Sequence, residues 1–326
     1  MSGVSAGHET TLMYLWEDAG FAAAPNDANH KTFGADPTLD TAEGTNALQR
    51  VFRPGKRVGI DQIAMLFEGS FAVSFTLTNP WWMRTVLGAP AQSGAGPDYT
   101  YEYSVSQDGE PDTIQILAGH EQSGKQRRLK GCMVTSVELS VTVEQQVQVT
   151  LSGAYADGEL VAASDAQPTK GYDPMTYAEG SIKVGGSLEK YVQSMSLTLE
   201  NTIDPIREMG TRVTIDYNPK TLNPSVSFGK LFDGDHDSLE SLFGGTGSAS
   251  PQSEADDNQV TVDMRFDNGK AAGSGQNMGT FAISGTLAES YGEDGVGDPT
   301  ADLEENINRS GLAPSLSWTN EEATEA

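Results

Sequence analysis

The sequence predicts a mainly β protein, a β-sandwich or partly closed barrel with a short packed helix. Three observations carry that reading. Over residues 130–158, Met133, Val137, Leu139, Val141, Val143, Val147, Val149 and Leu151 share one parity, and Ser136, Glu138, Ser140, Thr142, Glu144, Gln146, Gln148, Thr150 and Ser152 share the other. A period of two gives a strand pair one apolar face and one wet face. The same alternation returns in "SFAVSFTLTN", "YVQSMSLTLEN", "QVTVDMRFDNG" and "GTFAISGTLAES". Turn-forming Gly, Pro, Asn and Asp residues separate these runs.

Taken in order, residues 1–60 read as an N-terminal arm and loop, with a short element near Leu12–Trp16. Arg50, Arg53, Lys56 and Arg57 gather around Pro54–Gly55. They either dock on an acidic surface of another subunit or form a solvated hairpin. A central β-domain follows over 61–232. Within it, Asn79 can cap, Pro80 suits a first helical position and Gly88 provides a stop, so a short helix is expected from Pro80 to Leu87. Trp81 and Trp82 then serve as core or subunit-contact anchors, and Arg84 reaches outward. "SQDGEPDTIQIL" reads as a hairpin tip and a returning strand. Arg127, Arg128 and Lys130 lead into the main strand pair, whose turn falls near Glu144–Gln146. Residues 233–258 read as an acidic, flexible insertion, 259–290 as the final core strands, and 291–326 as an acidic C-terminal tail that frays apart from Trp318. No clean tandem repeat is visible. "TLTNPWW" at 76–82 and "TLENTIDPI" at 198–206 nevertheless echo each other and leave two copies of a half-domain open.

The chain has 326 residues, with 46 Asp and Glu against 20 Lys and Arg, a formal charge of -26. That balance disfavours non-specific nucleic-acid binding and causes self-repulsion at low salt, which weakens as the Debye length falls to ~3 Å at 1 M. Scarce lysine and dispersed acids fit a salt-rich setting. Cys132 is the only cysteine, which excludes an intrachain disulfide and a cysteine-based zinc cluster. The N-terminus lacks the pattern of a secretory leader, and no apolar run approaches the 18 residues of a spanning helix.

Chemistry is sparse. The four histidines fall in polar stretches, and no phosphate loop, dinucleotide fingerprint, paired-histidine zinc motif or nucleophile elbow occurs. Asp233, Asp235 and Asp237 alternate as hard oxygen ligands do, yet the glycine of a calcium loop is missing. No cofactor is expected beyond weak cation binding there, and no enzymatic activity.

The segment from Lys130 to Ser136, the alternating pair behind it and Gly153-Ala154 resemble the major tail tube proteins of tailed viruses. The matching residues are Gly131, Cys132, Val134, Ser136, Leu139, Val147, Val149 and Gly153. "VQSMSLTLENTIDPIREMGTR", through Met195, Leu197, Leu199, Asn201 and Ile203, is similar to a later segment of those proteins, and "FTLTNPWWMRTVLGA" to their strand-to-helix element. With its acidity, the chain looks like a tube subunit of a virus infecting a halophilic archaeon. The resemblance implies six copies in a ring, strands contributed to an inner barrel shared between subunits, stacked rings, and genome DNA passing through the lumen. It also implies partners among terminator, baseplate and tape-measure proteins, assembly in the host cytoplasm, and no membrane insertion. On that reading Glu138, Ser140, Thr142, Glu144, Gln146 and Gln148 line the lumen. Arg50, Arg53, Lys56, Arg57, Trp81, Trp82, Arg127, Arg128 and Lys130 make subunit or inter-ring contacts. The rival readings are another tail or capsid accessory ring protein, or a halophilic carbohydrate-binding domain with Trp81, Trp82, Tyr99, Tyr101 and Tyr103 as its platform.

Overall fold

The computed structural model describes residues 10–17, 20–23, 30–54, 57–59, 61–96, 98–105, 111–120, 124–162, 173–234, 236–245, 247–252, 259–296 and 302–322. The first half supplies β1 (Thr10–Trp16), β2 (Ala35–Val51), β3 (Asp61–Thr76), α1 (Arg84–Leu87), β4 (Ala91–Ala95), β5 (Asp98–Ser104), β6 (Ile114–His120), β7 (Lys125–Thr142), β8 (Gln148–Tyr155) and β9 (Asp157–Ala162). The second supplies β10 (Ser181–Val184), β11 (Ser187–Leu188), β12 (Val192–Ile206), β13 (Asp216–Leu231), α2 (Asp237–Phe243), β14 (Val260–Asp267), β15 (Asn277–Asp294), β16 (Glu304–Ser310) and β17 (Ala313–Asn320).

All strands belong to one antiparallel hydrogen-bonded sheet that does not close into a barrel. Two long strands divide it into sections. The outer half of β7 pairs with β6 and β9, and its other half with β8 and β12. Likewise β15 pairs first with β14 and β17 and then, from Leu287, with β16. The largest section runs β2-β3-β8-β7-β12-β13-β16-β15 and is called the wall below. Leu139, Leu197 and Phe228 of the wall share one core with Phe281, Leu316 and Trp318 of the section around β17. Two sheet sections facing one apolar interior make the sandwich.

The helical element behaves as expected. Trp81–Met83 forms a 3-10 turn that continues into α1, the Trp81 N–H donates to Asn79 Oδ1 at 3.3 Å, and Gly88 ends the helix with φ of 84°. Arg84 does not reach outward. Its Nε pairs with Asp112, and its guanidinium lies 4.7 Å from the Trp16 ring centroid.

Two expectations are corrected. The arm over 1–60 is not irregular throughout, because Ala35–Val51 is a strand paired with β3. The described part of the tail does not fray, since β16 and β17 are sheet strands with Ile307, Leu316 and Trp318 buried. β15 also crosses the boundary expected at residue 290. The 106–110 hairpin tip lies outside the described residues.

The TLTNPWW and TLENTIDPI echo does not mark a repeat, but a half-domain repeat is present at other residues. "TLTNPWW" straddles the end of β3, whereas "TLENTIDPI" lies inside β12, and the two occupy different places in the topology. The repeat is one of strand order. A hairpin β2–β3, a helix and a hairpin β7–β8 pair as β2-β3-β8-β7. A hairpin β12–β13, a helix and a hairpin β15–β16 pair as β12-β13-β16-β15. Sequence echoes fall in the same register. Val73-Ser74-Phe75 faces Leu151-Thr150-Val149, and Val226-Ser227-Phe228 faces Arg309-Asn308-Ile307. Ser152-Gly153 in β8 and Ser310-Gly311 at the end of β16 fall at matching points. The wall is therefore two four-stranded units side by side, joined by the pairing of β7 with β12.

Candidate functional site

The candidate site is the wet face of the wall. Strand register aligns its side chains in rows that cross all the strands. One row reads Thr76, Gln148, Ser140, Ser196, Ser227, Asn308 and Ser290. The next, towards the β2–β3 and β12–β13 turns, reads Thr38, Ser74, Thr150, Glu138, Thr198, Ser225 and Ser310. Cross-strand neighbours on one sheet face lie close enough to bond laterally. Ser196 and Ser227 hydroxyls are 2.6 Å apart, Asn308 Nδ2 donates to Ser290 Oγ at 2.8 Å, and Gln148 Nε2 donates to Thr76 Oγ1 at 3.1 Å. The face is a hydroxyl and amide surface, laterally hydrogen-bonded along the first row. These rows hold one carboxylate, Glu138, and no lysine or arginine.

Of the expected lumen residues, Glu138, Ser140, Thr142 and Gln148 fall on this face. Glu144 and Gln146 do not, because β7 stops at Thr142 and β8 starts at Gln148. Glu144 occupies the left-handed region at φ of 70° within the turn. Gln146 bridges to Thr176 beyond the strand ends and accepts a bond from Thr76 Oγ1 at 3.4 Å, so it borders the face. Sequence reading missed the other half of the surface, Ser225, Ser227, Asn306 and Asn308. Its signal was the alternation in "SVSF" and "NINRS".

The expected contact residues separate into three groups. Trp81 and Trp82 are buried, with the Trp82 indole N–H donating to Asn79 O at 2.8 Å, so they anchor the subunit's own core and not a neighbour. Tyr101 and Tyr103 are buried too, which removes the proposed carbohydrate platform. Arg127, Arg128 and Lys130 are engaged inside the chain. Arg127 donates to Ala42 O at 2.6 Å and to the Tyr155 hydroxyl at 2.8 Å, Arg128 pairs with Glu159 at 3.1 Å, and Lys130 with Asp157 at 2.8 Å. Hydrogen bonding to Asp157 raises the Lys130 pKa above that of an ordinary lysine.

Arg50, Arg53 and Arg57 differ, being exposed at the end of the β2–β3 hairpin with no carboxylate in salt-bridge range among the described residues. Lys56 lies outside those residues. The same hairpin end exposes Leu48, Phe52, Val58, Ile63 and Met65, each at least 48% accessible. Its stem is braced. Arg207 pairs with Glu68 at 2.6 Å, and Arg212 donates to Met65 O at 3.1 Å and to Asn46 Oδ1 at 2.6 Å.

Behind the wet face, the second unit holds a buried charge group. Lys230 Nζ lies 3.2 Å from Glu189 and 3.6 Å from the fully buried Glu305. Burial works against the Lys230 charge, but the attraction of Glu189 and Glu305 outweighs it and raises the pKa. The Tyr291 hydroxyl donates to Glu305 as well. Asp233 and Asp237 flank the start of α2, and Asp235 lies outside the described residues. Among the described residues, no group of three or more His, Cys, Asp or Glu could hold a metal. No helix among them is long and apolar enough to cross a membrane.

No curated protein matches the chain. A protein family described as phage tail tube protein matches residues 4–308. That match covers nearly the whole chain, including both four-stranded units of the wall, and with it this chain belongs to the phage tail tube protein family, as a structural component of the virion tail.

Proposed function

We propose that copies of this chain close into rings, that rings stack into a tube, and that the wet face of the wall lines the channel through which genome DNA leaves the particle. The observation that carries this is the wall itself. It is an open antiparallel section with eight strands, one face packed on the core and the other crossed by two polar rows that hold no lysine or arginine. Proteins that hold DNA do so by neutralising phosphates with Lys and Arg, so rows without them give the duplex little to grip. Glu138, Ser140, Thr142 and Gln148 are the lining residues of the first unit. The even strand number leaves the two outer strands, β2 and the end of β15, antiparallel to each other. Lateral closure then covers both open edges.

Stacking falls to the β2–β3 hairpin. Its exposed apolar side chains, and its three arginines with no carboxylate in range among the described residues, suit a contact with the next ring of an acidic chain. Contacts with terminator, baseplate and tape-measure proteins use the tube ends, the tube is assembled in the host cytoplasm, and a salt-rich host fits the charge of -26. Negative-stain electron microscopy of the purified protein from low to multimolar salt tests the reading. Tubes with a central channel support it, and a monomer at every salt concentration refutes it.

A further inference from the structure

The internal repeat assigns the surface by which copies meet. In each four-stranded unit, the first strand of the order is β2 or β12 and the last is β7 or β15. Inside the chain, the last strand of the first unit pairs with the first strand of the second, placing Ser140 opposite Ser196, Leu139 opposite Leu197 and Glu138 opposite Thr198. The equivalent free strands are the last of the second unit, β15 from Leu287 onward, and the first of the first unit, β2. Each has a partner on one side only, β16 and β3 respectively. Both are solvent-facing over these stretches. Their inward apolar residues, Leu39 and Tyr291, are only partly buried against the core, whereas Leu139 and Leu197 at the internal junction are buried.

On the tube reading above, we propose that β15 of one copy pairs antiparallel with β2 of the next, in the register that β7 and β12 already show, so that a ring of six wall units takes three chains. The equivalences follow from the shared pairing. Tyr291 faces Ile307 as Leu139 faces Val149, and Leu39 faces Val73 as Leu197 faces Val226. Carrying the internal junction across puts Tyr291 opposite Leu39 of the next copy, Gly292 opposite Thr38, and Ser290 opposite Thr41. Leu39 and Tyr291 then become covered as Leu139 and Leu197 are. The partner is thus a second copy of this chain, and six units, the ring size implied by the sequence resemblance, need half as many chains as units.

The test is a pair of cysteines at the proposed seam. Cross-strand neighbours have Cα atoms about 4.5–5.5 Å apart, inside the ~4.4–6.8 Å range that a disulfide spans. Thr38 is exposed, a side chain at Gly292 meets nothing within 4 Å, and the native Cys132 is buried. The Thr38→Cys/Gly292→Cys protein is assembled at the salt concentration that gives tubes, oxidised, and read on a denaturing gel with native mass spectrometry of released rings. Thr41→Cys/Ser290→Cys is a second pair from the same register. The expected result is a cross-linked ladder ending at three chains, seen with either pair and with neither set of single variants. Tubes that form without cross-linking in both pairs, or rings of six chains, overturn the junction while leaving the tube reading intact. Absence of tubes at every salt concentration, in wild type as in the variants, overturns the tube reading and the junction with it.

Discussion

Replacing Lys230 by methionine strips the buried Glu305 of its cation. Glu305 is fully buried, Lys230 is 5% exposed, and among the described residues the ammonium is the one cation in salt-bridge range of that carboxylate. Breaking a buried pair by deleting one partner costs about 3–5 kcal/mol, because the remaining charge has no replacement solvent. With a urea m-value near 3 kcal/mol/M, the midpoint falls by roughly 1–2 M. The first unit shows what the pair replaces. Aligned by register, Lys230 and Glu305 occupy the places of Leu77 and Val147, whose backbones are joined by a 2.9 Å hydrogen bond. A Lys230→Leu/Glu305→Val protein therefore carries the first unit's own pair of residues, with the partly exposed Glu189 left to solvent. Its expected stability lies within about 1 kcal/mol of wild type or above it, since apolar replacement of a buried pair is often neutral or stabilising. The two proteins also differ in pH response. With its pKa raised in the fold, Lys230 adds stability that is fully present below about pH 10.4 and is lost as pH rises through the raised value. Wild type loses that contribution in alkali, and the double variant has none to lose. Urea titrations of wild type, single and double variants at pH 8 and pH 11 check both points. A double variant as unstable as the single one at pH 8 refutes the equivalence of the two units in the core.

Three further outcomes are expected. Trp82→Ala, which empties a fully buried site and removes the bond to Asn79 O, destabilises the chain by about 3–5 kcal/mol in chemical unfolding. Glu138→Lys with Ser227→Lys puts cations on the hydroxyl face. Assembled tubes then retain duplex DNA that wild-type tubes release, and each phosphate contact adds about 0.9 to the slope of log affinity against log salt. Phe52→Asp with Val58→Asp leaves the thermal unfolding curve unchanged, because both side chains are exposed, yet shortens tubes to single rings in electron micrographs.

The strands that alternate cleanly were legible because their two faces meet different surroundings, core on one side and water on the other. Met133 to Leu151 is the clearest case, and there the chemistry of the wet face could be read directly. β2 was not legible. Its burial pattern is mostly exposed over 17 residues, it contains Pro37 and Gly44, and only Leu39 and Ala42 pack on the core, so no period of two is written into it. The repeat was hidden for a different reason. At the inward positions where the first unit has Leu77, Val147 and Leu151, the second has Lys230, Glu305 and Arg309, which read as surface residues in a linear sequence. Those same residues made the C-terminal segment look like a fraying tail. Arg127, Arg128 and Lys130 mislead in the opposite direction. Their charges suggest outward contacts, but the acids that match them, Asp157 and Glu159, arrive from β9 on the neighbouring strand.

Joining two wall units in one chain alters the energetics of closing a ring. Each further chain that joins a ring costs several kcal/mol of translational and rotational freedom, about 4–15. A six-unit ring of single-unit chains needs five such associations, and one of paired units needs two. The internal β7–β12 junction forms during folding and carries no such cost, while its register supplies the pattern for the others. Acidity bears on the junctions that remain. Asp40 and Glu289 sit at register shifts of β2 and β15, and the proposed pairing brings these two exposed acids to the same stretch of the seam. Like charges across a strand pair oppose closure until salt screens them. On the proposed seam, strand pairing and burial of Leu39 and Tyr291 favour ring formation, and repulsion opposes it at low salt. The expected outcome is a dispersed protein in dilute buffer and tubes where salt is abundant, which light scattering across a salt series checks.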